Sequence, residues 1–107
     1  MALRTEIKRG DTFLRTCTAR DSANGPPVDL TDWEIASQIR DENDVLVAEL
    51  EVVPVALSVG SFQLKGESTQ DWPAKLLYWD IQYMDPGGRV SSTQTIEVLV
   101  RPDVTHA

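Results

Sequence analysis

Two side chains in this sequence are of the types that carry nucleophilic catalysis or bind transition metals: the lone cysteine Cys17 and the lone histidine His106. A cysteine attacks a substrate as its thiolate, which needs a neighbouring base or positive charge. Cys17 lies on the same side of an alternating segment as Phe13 and Ala19, where a buried, inert thiol is the usual outcome. His106 is one residue from the C-terminus, and one cysteine forms neither an intrachain disulfide nor a cysteine metal cage. We therefore expect no catalytic residue and no metal-binding residue.

Carboxylates that are close in sequence are the other candidates for chemistry, because paired carboxylates serve general acid–base catalysis or bind Ca²⁺. Three pairs occur: Asp29 and Asp32, Asp41 and Asp44, Glu49 and Glu51. Alternation places the last pair on a solvated outer face. The D-E-N-D segment at 41–44 has oxygen ligands for a hard cation but lacks the spacing of a calcium loop, so a plain turn is favoured over a cation site. No phosphate-binding motif is present, and we expect no cofactor and no enzymatic activity.

Length and composition set the class of protein. The 107 residues, 41% hydrophobic and 25% charged, are typical of one folded unit, so residues 1–107 are predicted to form a single domain. The formal net charge of −7 would repel a phosphate backbone, which argues against a nucleic-acid partner. No apolar stretch is long enough for membrane insertion, and the N-terminus has no apolar signal core. We expect a protein that is kept in the cytoplasm or assembled there into something larger.

The N-terminal segment is basic although the chain as a whole is acidic. Residues 1–20 contain five basic and two acidic residues, whereas the rest of the chain contains five basic and fifteen acidic residues. One interpretation is a first strand, Thr5–Arg9, whose outward face happens to be basic. The other is a basic edge that docks on an acidic neighbour, such as a second copy that adds strand to strand. On this second interpretation the protein is a homo-oligomer and its partner-binding residues include Arg4, Lys8 and Arg9.

Most of the chain alternates between apolar and polar residues, and turn residues separate the alternating segments. The predicted strands are 5–9, 12–19, 33–40, 45–55, 61–66, 76–84 and 90–101. This spacing predicts an all-β fold, an immunoglobulin-like antiparallel β-sandwich of about seven strands. Helix is expected only as one turn near Ser68–Trp72. The inward-facing residues are predicted to include Trp33, Ile35, Ile39, Trp79 and Ile81.

Trp72 lies in the irregular segment Glu67–Pro73 and has two interpretations. Either the indole closes the end of the sandwich, or it is an exposed aromatic anchor for a partner. The second interpretation adds Trp72 to the partner-binding candidates. With neighbouring tyrosines, an exposed Trp72 would also provide a stacking platform for a sugar.

Short motifs along nearly the whole chain carry a resemblance to one family. They are K-R-G-D-T-F (8–13), V-D-L-T-D-W (28–33), I-A-S-Q-I-R (35–40), G-S-F-Q-L (60–64), T-Q-D-W-P (69–73), Y-W-D-I-Q-Y (78–83) and I-E-V-L-V-R-P-D-V-T (96–105). The series resembles small β-sandwich proteins of tailed bacteriophages, in particular the N-terminal domain of baseplate upper proteins, which anchors receptor-binding modules to the tail. The resemblance implies a virion protein assembled in the host bacterial cytoplasm. Nothing follows the domain in this sequence, which favours a free-standing tail, neck or head accessory protein.

The leading hypothesis is therefore a non-enzymatic structural component of a bacteriophage particle. It would be a tail or baseplate accessory or adaptor protein that acts by self-association and by docking on other phage structural proteins. One alternative is a carbohydrate-binding or adhesin-like β-sandwich module. A second alternative is a head decoration or neck protein.

Overall fold

The computed structural model describes residues 3–22 and 24–102, so the prediction for His106 concerns a residue outside the described part. Within those residues the chain forms nine strands and one 3-10 turn, Leu57–Val59. The strands are β1 (Leu3–Lys8), β2 (Phe13–Thr18), β3 (Glu34–Arg40), β4 (Leu46–Glu49), β5 (Glu51–Ala56), β6 (Ser61–Gly66), β7 (Leu76–Met84), β8 (Val90–Ser92) and β9 (Ile96–Arg101).

The strands pair into two sheets that face each other. The larger sheet has the order β1-β9-β7-β3-β4, with β8 also paired to β7, and the smaller sheet has the order β2-β6-β5. The predicted all-β sandwich is confirmed. The pairs are antiparallel except that β1 runs parallel to β9. The described strands also outnumber the expected seven, because the structure divides two of the predicted strands.

The first division falls within the predicted strand 45–55. Its first half, β4, pairs with β3 in the larger sheet, and its second half, β5, pairs with β6 in the smaller sheet. The chain crosses between the sheets at Leu50, which is 5% exposed and whose N–H donates to Ser37 O at 2.9 Å. Alternation would put Leu46 on the same face as the buried Leu50, but Leu46 is 46% exposed because it lies before this crossing.

The second division separates β8 from β9 within the predicted strand 90–101. Between them, Thr93 N–H donates to Ile81 O at 2.9 Å, and Thr93 Oγ1 accepts from Ile81 N–H at 3.1 Å. A hydroxyl therefore takes the place of one backbone carbonyl in the ladder beside β7. As a result β8 and β9 pair with different parts of β7.

The core lies between the sheets and contains most of the predicted inward-facing residues. Ile39, Trp79 and Ile81 are at most 5% exposed, whereas Trp33 and Ile35 are only half-buried. The Phe13 and Trp79 rings meet edge-on, with centroids 5.3 Å apart. Such edge-to-face contacts add to the stabilisation that comes from burying the rings.

A helical turn near Ser68–Trp72 is a prediction that the structure corrects. That segment contains a hydrogen-bonded turn instead, in which Trp72 N–H donates to Thr69 O at 3.1 Å. The 3-10 turn lies earlier, at Leu57–Val59, and Gly60 ends it with φ +74°. Only glycine takes this left-handed conformation at little cost.

Gly60 also provides a test of how closely the turn before β6 packs against the chain that follows β2. A Cβ added at Gly60 would lie 2.8 Å from both Ala19 O and Val28 O, whereas Gly88, with φ +87°, has open space around it. Both alanine substitutions carry the left-handed cost of about 1–2 kcal/mol. We expect Gly60→Ala to lower the free energy of unfolding by about 1–3 kcal/mol more than Gly88→Ala does, because only Gly60 adds a steric clash. Equal losses in urea denaturation would contradict the close approach at Gly60.

Candidate docking surface

The basic first strand is the edge of the larger sheet. β1 pairs with β9 in register from Leu3 opposite Ile96 to Lys8 opposite Arg101. Alternation places Arg4 and Lys8 on the outer face of the sheet, while Ile7, 8% exposed, points into the core. The six paired positions and Ile7 hold a strand whose own sequence is mostly polar.

Two ion pairs cross between β1 and β9 on this outer face. Arg4 Nη2 lies 3.1 Å from Glu97 Oε1, and Arg101 Nε lies 3.1 Å from Glu6 Oε2. The hydrogen bond and charge of Arg101 lower the pKa of the Glu6 carboxyl, and the same contact raises the pKa of Arg101. Solvent reaches all four side chains, so these pairs add little to stability. The pair with Glu97 balances the charge of Arg4 within the chain, whereas Lys8 is exposed to solvent.

Arg15 is the residue of this surface to which the sequence patterns assign no role. It lies on β2 at an inward-facing position, and its guanidinium stacks over the Phe13 ring at 4.5 Å. It reaches β1, where it donates to Thr5 Oγ1 at 2.8 Å and to Glu6 O at 3.2 Å, and it also donates to Leu14 O at 2.9 Å. Partial burial lowers the pKa of Arg15. The signal in the sequence is a basic residue at a core-facing position of an alternating strand.

This contact restricts how the edge can be used. Arg15 occupies one backbone carbonyl on each of two edge strands, Glu6 O on β1 and Leu14 O on β2. A strand added to β1 along its whole length would have to displace the Arg15 guanidinium. The edge is therefore protected against uninterrupted strand addition, as edges of natural sheets generally are.

The structure places Trp72 inside the protein. Its side chain is 4% exposed, its ring lies 5.6 Å from the Phe13 ring, and a Cβ on Gly66 would come within 3.1 Å of its Cζ2 atom. Trp72 thus closes the end of the sandwich. The alternative of an exposed aromatic anchor at Trp72 is wrong, because the indole has almost no accessible surface.

Trp72 is connected to the basic segment through Thr69. The Thr69 carbonyl accepts from Trp72 N–H, and the fully buried Thr69 hydroxyl accepts from Gly10 N–H at 2.7 Å and donates to Asp11 O at 2.6 Å. Gly10 and Asp11 form the turn that follows Arg9. The Trp72 segment therefore fixes the end of β1 without facing solvent.

Cys17 and Asp41, the sequence-based candidates for catalysis and cation binding, have structural environments. Cys17 is half-buried, and burial raises the pKa of its thiol more than the charge of Arg15 lowers it. Asp41 Oδ1 accepts from the N–H groups of Asn43 and Val45, at 2.8 and 3.0 Å, which lowers the pKa of Asp41 and closes the turn before β4. Across residues 3–22 and 24–102, no three His, Cys, Asp or Glu side chains are grouped as metal ligands. In the same ranges no helix has the length and apolarity to cross a membrane.

Two concave regions lie outside this edge. One, with a volume of about 540 Å³, is lined on the outer face of the larger sheet by polar residues that include Arg40, Tyr78 and Asp80. The other, about 390 Å³, opens beside β8 and contains Trp33 and Tyr83, whose rings are 6.4 Å apart. Burial raises the pKa of Tyr83 to about 12.

The fold and the protected edge define a two-sheet β-sandwich domain with a charged side surface. Among solved structures, the N-terminal domain of phage TP901-1 ORF48 is similar, with a TM-score of 0.60 and 15% sequence identity over 94% of this chain and 85% of that chain. The sequence-based resemblance to a phage β-sandwich domain is thereby confirmed for the fold.

The remaining comparisons give one weaker structural match and no sequence match. A nucleoside hydrolase-related hypothetical protein from Saccharophagus degradans, associated with carbohydrate metabolism, aligns with 95% of this chain and 22% of its own at 10% identity. Its TM-score of 0.40 is too low to support an argument. No family model matches the sequence, and no curated protein matches it.

The burial of Trp72 makes a direct prediction about stability. We expect Trp72→Ala to lower the free energy of unfolding by about 3–5 kcal/mol, because it leaves a cavity against Phe13 and Gly66. Leu14→Ala, which truncates a side chain that is 43% exposed, is the control and should change it by roughly 0.5 kcal/mol or less. Similar small losses of unfolding free energy for both variants in chemical denaturation would contradict the burial of Trp72.

Proposed function

We propose that this protein is a non-enzymatic structural component of a bacteriophage particle, a tail or baseplate accessory or adaptor protein. The observation that carries the proposal is the likeness to a phage domain over 94% of the chain. Fold alone does not determine function, so the surface must supply the second argument. That surface is a charged, structurally protected edge. Burial raises the pKa of the Cys17 thiol, and the Asp41 carboxylate accepts the backbone hydrogen bonds that close a turn.

The proposed mode of action is assembly through surfaces, without chemistry. Arg4, Lys8 and Arg9 dock on an acidic neighbour, which is a second copy of the chain or another phage structural protein. Trp72 contributes indirectly, because through Thr69 it positions the turn that follows Arg9. The protein would be assembled into the virion in the host cytoplasm. The alternative of a head decoration or neck protein is tested by the particle experiment that follows.

Purified particles from the phage that encodes this chain provide the test of location. We expect the protein to co-sediment with intact particles and to be present at a copy number that fits the particle symmetry, measured by quantitative mass spectrometry. Separating tails from heads then assigns its position. Absence from washed particles would overturn the proposed function.

The docking residues are tested by reversing their charge. Arg4, Lys8 and Arg9 all changed to Glu should weaken assembly while circular dichroism still reports the sandwich. Raising the salt should also weaken assembly, since the Debye length falls from about 10 Å at 0.1 M to about 3 Å at 1 M. A control that reverses basic residues elsewhere, Arg20→Glu with Arg89→Glu, should assemble normally in sedimentation velocity. Equal behaviour of the triple variant and this control would contradict a role for the first strand.

A carbohydrate-binding module is the second candidate, favoured by the cleft beside β8. Trp33 and Tyr83 give that cleft an aromatic surface, and Ser91 and Ser92 line it with hydroxyl groups. Small-ligand sites combine apolar walls with a few polar groups in this way. Trp72 does not take part, because it is buried.

The leading proposal predicts that this cleft binds no sugar. We expect calorimetric titration with soluble cell-wall polysaccharide of the host bacterium to give no saturable signal. Saturable binding that is lost in Trp33→Ala and kept in Tyr78→Ala, an aromatic on the other concave region, would establish the second candidate instead.

A further inference from the structure

Five of the seven exposed large hydrophobic side chains among the described residues lie on or next to the outermost strands of the sheets, and the other two are Val59 and Val90. Leu3 and Leu14, 54% and 43% exposed, lie on β1 and β2. The opposite side has three, Val45, Leu46 and Val55, which are 57%, 46% and 57% exposed. On each side these apolar side chains alternate with charged ones along the chain, so neither side is a purely apolar patch.

These two sides are the ends of both sheets. β1 and β4 are the outermost strands of the larger sheet, and β2 and β5 are the outermost strands of the smaller one. Arg15 joins β1 to β2, and the chain passes directly from β4 to β5 through Leu50. We call β1, β2 and Arg9 the basic flank, and residues 41–45 with β4 and β5 the acidic flank.

The two flanks have opposite charge. On the basic flank, β1 and β2 contain Arg4, Lys8 and Arg15 with Glu6 as their one carboxylate; Arg4 pairs with Glu97 and Glu6 with Arg101, while Lys8 is exposed. On the acidic flank, β4 and β5 contain Glu49 and Glu51 and no basic residue, and Lys65 of β6 lies opposite Glu51. The adjoining turn adds three carboxylates, Asp41, Glu42 and Asp44, which are partly balanced by ion pairs from Arg40 and Lys75.

We propose that the basic flank of one copy packs against the acidic flank of a second copy. This inference rests on the proposed function, because it names the acidic surface on which the first strand docks. The charges are complementary only in this arrangement: two basic flanks or two acidic flanks would bring like charges together. Each contact joins two different surfaces, so a pair of copies still has one unused flank of each kind. Contacts of this type generate rings or filaments.

Side chains, rather than a continuous backbone ladder, make the contact. Arg15 occupies Glu6 O and Leu14 O on the basic flank. On the acidic flank, the pairing of β5 is interrupted between Pro54 and Ala56, and that of β4 shifts opposite Ile39 and Arg40. Along the acidic flank the carboxylates of Glu49 and Glu51 lie between the exposed Leu46 and Val55, so charged and apolar side chains alternate along the contact.

The test uses two variants of the full chain and their mixture. The first variant reverses the basic flank, Lys8→Glu with Arg9→Glu, and the second reverses the acidic flank, Glu49→Lys with Glu51→Lys. Glu49 and Glu51 are exposed strand residues on the outer surface of the sandwich. The control is Glu34→Lys with Asp80→Lys. It makes the same charge change as the second variant, on exposed residues of β3 and β7, which are inner strands of the larger sheet.

Sedimentation velocity at high concentration gives the result, with circular dichroism to confirm folding. We expect each flank variant alone to raise the apparent dissociation constant of self-association about tenfold or more, while the control stays like the unmodified chain. Mixing the two flank variants should restore association, because each then offers the surface that complements the other.

The outcomes separate this inference from the proposed function. Self-association of the unmodified chain that Glu49→Lys with Glu51→Lys does not weaken, or that mixing does not restore, would overturn the flank contact and leave a phage role intact. A monomeric unmodified chain would also overturn it, whereas absence from phage particles would overturn the proposed function instead.

Discussion

The indole of Trp79 lies where the two sheets meet, and its environment determines much of the rest of the structure. Its N–H donates to Ser37 Oγ at 2.6 Å, and that hydroxyl donates to Asp80 O at 2.7 Å, so a buried serine satisfies a buried indole. Its ring contacts Phe13 of β2, in the other sheet. β7, which contains Trp79, pairs with β3 on one side and with β8 and β9 on the other, so Trp79 lies on the central strand of the larger sheet. Both flanks depend on that sheet for their spacing.

Local sequence predicts those elements whose alternation is bounded by clear turn residues. The bounds of β6 and β7 agree with prediction, since a glycine or proline turn lies near each end. The division of 45–55 could not be predicted in this way. Alternation continues through Leu50, and only the Ser37 carbonyl, distant in sequence, determines where the chain leaves the larger sheet. Alternation also fails to predict the burial of Trp72. Its segment is irregular and does not alternate, yet the indole is buried.

The sequence predicts the charge of the candidate docking surface but not which residues its side chains contact. Composition alone indicates a basic first strand. The pairing of Arg4 with Glu97 joins residues 93 positions apart, through a parallel pair that nothing local indicates. Arg15 gives a stronger signal, because an arginine between Phe13 and Cys17 on an inward-facing side must find hydrogen-bond acceptors at an edge. An arginine at such a position in an alternating segment therefore indicates a protected edge strand.

Edge protection and assembly impose opposite requirements on the same strands. An unprotected edge would pair with any extended chain, and its backbone hydrogen bonds would give affinity without selectivity. Arg15 removes that option from part of β1 and β2, and Pro54 gives β5 one residue without an N–H group. What these strands still offer a partner is their side chains, whose charges and apolar groups can discriminate between surfaces. A surface that binds one neighbour among many needs this selectivity more than it needs a strong edge. The features that protect these edges therefore leave recognition of a partner to the side chains of the outer strands.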